Sequence, residues 1–171
     1  TSIVSVVRYR EYNDVGIQQF SCKGQQLDDV TALFFTTYLF LDLGIGLLFY
    51  KSTINCLTGY VHHSLFFCLM IYIYIENLTR CSSLMLILEV PTVFLSGKHI
   101  FPYFYDLFDL IFGILFLLIR IIIHSKILLE LIFYSLVTGI NEKSSFILPL
   151  VLMLGLHIKW FLLYNQKISQ R

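Results

Sequence analysis

Ionisable side chains inside apolar runs are the residues of this chain whose types and spacing could do chemistry. His62 and His63 are adjacent in one apolar run, Asp42 lies in the preceding run, and Glu89 lies in the following one. Titratable groups within a membrane are costly and are functional candidates by default. A carboxylate that orients an imidazole ring leaves the second ring nitrogen as a base or a nucleophile. The alternative for such histidines is hydrogen-bonded packing between helices.

The histidine pair does not predict a metal site. Neighbouring residues of a helix point about 100° apart, so His62 and His63 cannot chelate one ion as residues four apart could. The four cysteines form no C-x-x-C pair and have no histidine at zinc spacing. Cys68 and Cys81 lie in or beside apolar runs, where we expect small buried thiols. We expect no metal and no resident cofactor.

Further ionisable residues lie in the later apolar runs. Arg120 falls late in its run, where it either extends toward the headgroups or binds a buried partner such as Glu89. Asp106 and Asp109 fall early in the same run, where the positive end of a helix near the headgroups favours a carboxylate. Glu130 is a weaker candidate in the segment that follows.

The composition identifies the surroundings of these residues. Of 171 residues, 57% are hydrophobic and 13% are charged, and the mean hydropathy is +0.78. Average soluble domains carry roughly a quarter charged residues, so the composition excludes a disordered chain and favours an integral membrane protein. No basic block is long enough to predict a nucleic-acid partner.

The apolar runs predict an all-α, multi-pass membrane helix bundle. We divide the chain into a polar N-terminal arm (1–30), a transmembrane domain (31–167) and a polar tail (168–171). The runs cover 31–50, 60–75, 82–95, 105–140 and 145–164. Pro91 is expected to bend the third run. The fourth run would be about 52 Å long as one helix, so a break is expected at 124–126. The sequence therefore predicts five or six membrane helices.

With six helices, the basic residues predict an orientation. Seven lie on the side of the arm and three on the other side, which places both ends of the chain in the cytoplasm or matrix. On this topology the acceptor sequence Asn77-Leu78-Thr79 would carry no glycan.

The stretch 59–95 resembles the core motif of the TLC domain family, which ceramide synthases share with other membrane proteins of lipid regulation. The matching elements, in order, are Asp42, the pair His62–His63, Asn77-Leu78-Thr79-Arg80, Glu89 with Pro91-Thr92-Val93-Phe94-Leu95, Arg120-Ile121 and Trp160-Phe161. The resemblance covers about residues 31–167 of the chain.

This resemblance implies a helix bundle around a cavity that admits an acyl chain. In ceramide synthases the histidine pair serves acyl transfer from acyl-CoA, which would make His62 or His63 the catalytic base or nucleophile and Glu89 its carboxylate partner. Asp42 and Arg120 would be intramembrane polar or lipid-binding residues. Ceramide synthases carry a His-Asp where this chain has Leu88-Glu89, so the chain is more similar to TLC proteins with no established chemistry.

Three functions follow as expectations. The first is lipid binding, sensing or homeostasis, with a sphingolipid or another acyl lipid as the bound molecule. The second is a non-catalytic accessory subunit of a membrane complex, with the arm as a docking segment and partner subunits around it. The third is an acyltransferase that uses acyl-CoA. The resemblance implies the endoplasmic reticulum, and the mitochondrial inner membrane is the alternative.

Overall fold

The computed structural model describes residues 2–49, 60, 62–139 and 142–169, and helix is the only regular secondary structure within them. The α-helices are α1 Ser2–Gln19, α2 Gln26–Phe49, α3 His62–Ile75, α4 Thr79–Met85, α5 Val90–Ile100, α6 Tyr105–Leu115, α7 His124–Thr138 and α8 Ile147–Ser169. Short 3-10 segments cover Leu86–Glu89, Pro102–Phe104 and Glu142–Phe146, and Phe116–Ile123 is π-helical. The predicted all-α class is confirmed.

Four helical stretches of the described chain are long and apolar enough to cross a membrane: Gln26–Phe49, Thr79–Ile100, Pro102–Thr138 and Lys143–Gln166. A fifth apolar helix, His62–Ile75, is shorter. Large apolar side chains along these helices stay exposed, among them Phe40, Leu48 and Leu136. Exposed apolar surface of this extent is typical of a protein solvated by lipid.

The predicted break at 124–126 is wrong, because Pro102–Thr138 is one helical stretch of 37 residues. Polar side chains alone need not end a helix, and no proline or glycine lies there to interrupt the helical hydrogen bonds. His124 turns inward and is buried. Lys126 lies on the outer face, 4.0 Å from Glu130 one turn later. The stretch is about 55 Å long, so it must tilt or project beyond a core of about 30 Å.

The arm is helical over most of its length. α1 is kinked at Gly16, whose φ of 69° lies in the left-handed region that glycine tolerates. α2 begins at Gln26, so the predicted arm boundary at residue 30 falls inside this helix. The last two residues of the predicted tail lie outside the described ranges.

The chain divides into two compact units. Unit 1 comprises Thr1–Asn13 and Ser21–Leu86. In it, α2 packs against both α3 and α4. Its buried side chains include Tyr12, Leu39 and Leu84. Unit 1 therefore holds the predicted residues Asp42, His62 and His63.

Unit 2 comprises Asp14–Phe20 and Ile87–Arg171. α5 packs closely against α6 because Gly97 has no side chain. A Cβ at Gly97 would lie only 2.7 Å from the ring of Phe108. Just before α5, the 3-10 segment Leu86–Glu89 precedes Pro91, which has no N–H to continue the helical pattern. Unit 2 holds Glu89 and Arg120.

Candidate functional site

Asp42 and His63 meet where α2 packs against α3. Asp42 Oδ2 lies 2.7 Å from His63 Nδ1, with 46% of the Asp42 side chain and 19% of the His63 side chain exposed. The rings of Phe40 of α2 and Phe67 of α3 also pack against each other, with their centroids 5.8 Å apart. A carboxylate at this distance accepts a hydrogen bond from the Nδ1–H group. This fixes the tautomer in which Nε2 of His63 carries no proton and can accept a hydrogen bond.

His62 lies next to this pair at the start of α3. Its ring centroid is 5.3 Å from that of His63 and 4.8 Å from that of Phe66. The two imidazoles point in different directions, as expected for successive helical residues. The contact with the carboxylate of Asp42 is made by His63.

Arg120 organises a second polar cluster, within unit 2. Its Nη2 donates to Glu89 Oε2 at 2.9 Å and to Thr92 Oγ1 at 2.6 Å, and its Nε donates to the carbonyl of Leu88 at 2.7 Å. The Thr92 hydroxyl donates to the same Glu89 oxygen at 2.9 Å. The ring of Phe116 lies 5.3 Å from the guanidinium. Of the two alternatives for Arg120, the structure shows the carboxylate partner Glu89, whose side chain is 31% exposed.

The local backbone explains this position of Arg120. It lies in the π-helical segment, whose wider turn changes the direction of side chains along the helix. Facing it, the 3-10 segment before Pro91 leaves the Leu88 carbonyl available to accept from a side chain. The cluster satisfies an intramembrane arginine that would otherwise be costly.

The predicted site residues thus fall into two groups. Asp42 contacts His63 in unit 1, and Glu89 contacts Arg120 in unit 2. The role of Glu89 as the partner of a catalytic histidine stays a prediction. Asp109 is buried and lies 2.7 Å from Lys98, so it has a cationic partner that the sequence did not predict. Its expected position near the headgroups stays a prediction.

Sequence reasoning missed a second histidine pair. His124 of α7 and His157 of α8 are both buried, with their Nδ1 atoms 3.2 Å apart. Their rings pack edge to face at 5.3 Å. The two residues are 33 positions apart, so no local spacing could have paired them.

Sequence reasoning also missed a disulfide between Cys22 and Cys81. The expectation that Cys81 is a small buried thiol is therefore wrong, although its side chain is indeed buried. The same expectation for Cys68 is also wrong, because Cys68 is a free thiol but is exposed on α3. The two cysteines are 59 positions apart, and sequence alone cannot assign pairing among four cysteines.

Around this disulfide, Arg8 of the arm binds the start of α2. Its Nε and Nη2 donate to the two oxygens of Asp28 at 2.9 and 3.0 Å, and its Nη1 donates to Glu11. Arg80 of α4 donates to the same Glu11 carboxylate at 3.0 Å. We call these four residues, Arg8, Glu11, Asp28 and Arg80, the arm cluster.

Electrostatics within the arm cluster favour the charged forms. Burial alone would lower the pKa of Arg8, but hydrogen bonds and attraction to Asp28 and Glu11 outweigh it and raise that pKa. Burial alone would raise the pKa of Glu11, but hydrogen bonds from Arg8 and Arg80 outweigh it and lower that pKa. The arm is therefore held to α2 and α4 by ions that stay charged.

Comparison with known proteins supports a single family. The family model for the TLC domain matches residues 6–166. No curated protein and no solved structure matches the chain.

Proposed function

The chain belongs to the TLC domain family, and we propose that this integral membrane protein binds acyl lipids through the polar group formed by Asp42 and His63. The family is lipid-related in general terms. The observation that carries the proposal is the 2.7 Å contact between the Asp42 carboxylate and His63 Nδ1. The contact lies among apolar helices, where ionisable residues are costly and are functional candidates by default.

The pair suits recognition of a lipid that has a polar group next to an acyl chain. The Asp42 carboxylate fixes the tautomer of His63, so Nε2 can accept a hydrogen bond from a hydroxyl or an amide. The part-exposed Asp42 oxygens can accept a second one. The aromatic residues Tyr38, Phe66 and Phe67 around the pair supply apolar contact for the chain of the lipid.

A second candidate function is acyl transfer, favoured by the same contact. An imidazole oriented by a carboxylate is the usual base or nucleophile of such reactions. Against it, the Glu89 oxygen Oε2 accepts from both Arg120 and Thr92, which favours a structural role for Glu89. The third expectation, an accessory subunit, used the arm as a docking segment. Arg8 and Glu11 of the arm instead bind side chains of the same chain.

Lipid retention tests the first proposal. The full chain is purified from membranes in mild detergent and incubated with a photoactivatable ceramide, fatty acid or phosphatidylcholine. We expect one of these probes to cross-link saturably. A hydrogen bond contributes about 0.5–1.5 kcal/mol, so His63→Ala should weaken binding by roughly twofold to tenfold. Asp42→Asn should weaken it less, because an amide oxygen can still accept from Nδ1.

The matched control is His99→Ala, which removes an exposed histidine of unit 2. It should bind like the unchanged protein. Equal binding by His63→Ala and His99→Ala would refute the proposal. Turnover of acyl-CoA and a sphingoid base, lost in His63→Ala, would instead establish the acyl-transfer function.

We also propose the endoplasmic reticulum as the location, in agreement with the resemblance. Microscopy of the tagged full chain against markers for this membrane and for mitochondria tests the assignment. A mitochondrial signal would contradict it.

A further inference from the structure

The disulfide between Cys22 and Cys81 joins the loop after α1 to the first turns of α4. Cys22 is 0% exposed and Cys81 is 2% exposed. The surrounding contacts are polar: Thr79 donates to Asp29 at 2.5 Å, and the Gly24 N–H donates to the carbonyl of Asn77 at 3.3 Å. The disulfide and the arm cluster together form a clamp at the end of unit 1 where α2 begins.

The contacts of unit 1 place both ends of the α2–α3 pair. The Gly24–Asn77 hydrogen bond brings the end of α3 back to the start of α2. α3 therefore returns to the side from which α2 departs. Both cysteines lie on this side, together with the arm.

The contacts of unit 2 place the last helix. Lys143 Nζ donates to the carbonyl of Ile17 at 2.6 Å, so within unit 2 the beginning of Lys143–Gln166 lies beside Asp14–Phe20. With one helix over Pro102–Thr138 in place of the two predicted, the described part of the chain has four long apolar stretches and the shorter helix α3. Five crossings would place the segment before the first crossing and the segment after the last one on opposite sides of the membrane.

This topology removes the basis for the predicted orientation. The excess of seven basic residues to three required six helices and a loop at Lys126. With Lys126 inside a helix, the count of seven against three no longer holds, so the basic residues do not decide an orientation.

The disulfide can decide it. Protein disulfides form and persist in oxidising compartments and are rare where glutathione and thioredoxin keep thiols reduced. We infer that the clamp side faces an oxidising lumen, with the arm inside it, and that Cys22 and Cys81 are substrates of a disulfide-bearing oxidoreductase there. For the arm, this is the reverse of the side that the basic residues predicted.

The oxidation balances as a thiol–disulfide exchange. One cysteine thiolate attacks the disulfide of the oxidoreductase, which forms a mixed disulfide and releases one of its sulfurs as a thiolate. The second cysteine thiolate then displaces the other sulfur. Cys22 and Cys81 lose two protons and two electrons, and the oxidoreductase leaves as a dithiol. Because both sulfurs are buried, this exchange must precede packing of the arm.

The orientation also places the Asp42–His63 pair. Asp42 is 16 residues from the start of α2 at Gln26, or about 24 Å along the helix axis. The pair therefore lies toward the membrane face opposite the clamp. On this inference, that face is the reducing, cytosolic one.

The bond is tested first, on the full chain with its own sequence. Membranes are treated with N-ethylmaleimide to block free thiols, and the chain is digested without reductant and measured by mass spectrometry. We expect a peptide containing Cys22 linked to one containing Cys81, lighter by two hydrogens than the sum of the two. An impermeant phosphine should leave this link intact in opened native membranes and cleave it after unfolding. Recovery of Cys22 and Cys81 as N-ethylmaleimide adducts would overturn the inference.

Orientation is tested with two glycan acceptors in an Asn77→Gln background, expressed in the endoplasmic reticulum. One acceptor is fused ahead of Thr1 and its matched control after Arg171. We expect a glycan, removable by endoglycosidase, on the first and none on the second. A glycan on the second alone, or on neither, would overturn the inference. Neither outcome bears on lipid binding, so the two proposals can fail separately.

Discussion

Arg8 provides the sharpest test of how the arm is held. Replacement by Met keeps much of the side-chain volume and removes the guanidinium, whose Nε and Nη2 contact both oxygens of Asp28. The Asp28 side chain is 0% exposed, so its charge would stay buried. Removing one partner of a buried ion pair costs about 3–5 kcal/mol, because the other charge is left uncompensated.

The double variant separates this cost from general packing. With Arg8→Met and Asp28→Asn together, no charge is left buried. The combined cost should then fall short of the sum of the two single costs by about 2–3 kcal/mol. Additive costs would mean that the two side chains do not interact.

The assay is reversible unfolding of the oxidised protein in mixed detergent micelles, followed by far-ultraviolet circular dichroism. The control is Arg10→Met, the same change two residues away on the exposed face of α1. Surface substitutions of this kind usually change the free energy of unfolding by less than about 0.5 kcal/mol. An equal effect of Arg8→Met and Arg10→Met would refute the reasoning.

Three further predictions concern other contacts. Arg120→Ala should lower the free energy of unfolding by about 1.5–3 kcal/mol, because the part-buried Glu89 carboxylate loses its charged hydrogen-bond partner; Glu89→Gln in the same chain should restore part of the loss, and no restoration would contradict the pairing. The pKa of Glu11 is lower in the folded chain than in the unfolded chain, which adds stability at pH values above the unfolded pKa. This stability is lost as the pH falls through the folded pKa. Unfolding at a series of acidic pH values should therefore depend less on pH in Glu11→Gln, and an unchanged slope would count against the cluster. Gly97→Ala places a Cβ within 2.7 Å of a ring, whereas Gly155→Ala meets nothing within 4 Å. Thermal unfolding should show a loss of about 1–3 kcal/mol for the first only, and equal stability would argue against close packing there.

The sequence alone determined the class of the fold and the positions of most helices that could span the membrane. Apolar content and run length are local quantities, and a bilayer of fixed thickness converts them into helices. The ordered motif from Asp42 to Trp160 was sufficient to identify the TLC domain family, which the match over residues 6–166 confirmed. The contact between Asp42 and His63 was within reach of the same reasoning, because both belong to that motif.

The sequence did not predict that the helix over Pro102–Thr138 continues through residues 124–126. His124, Ser125 and Lys126 form a polar trio that resembles a loop. In the folded chain His124 faces the buried ring of His157, while Lys126 faces outward. Whether such a trio interrupts a helix depends on where each side chain points, and packing decides that direction.

The tertiary structure alone decided the long-range pairs. Cys22 joins Cys81 across 59 positions, and Arg120 meets Glu89 across 31. A sequence shows which groups need a partner, because a charge within an apolar run is costly wherever it lies. The choice of partner depends on which helix faces are brought together, and only the packed chain determines that.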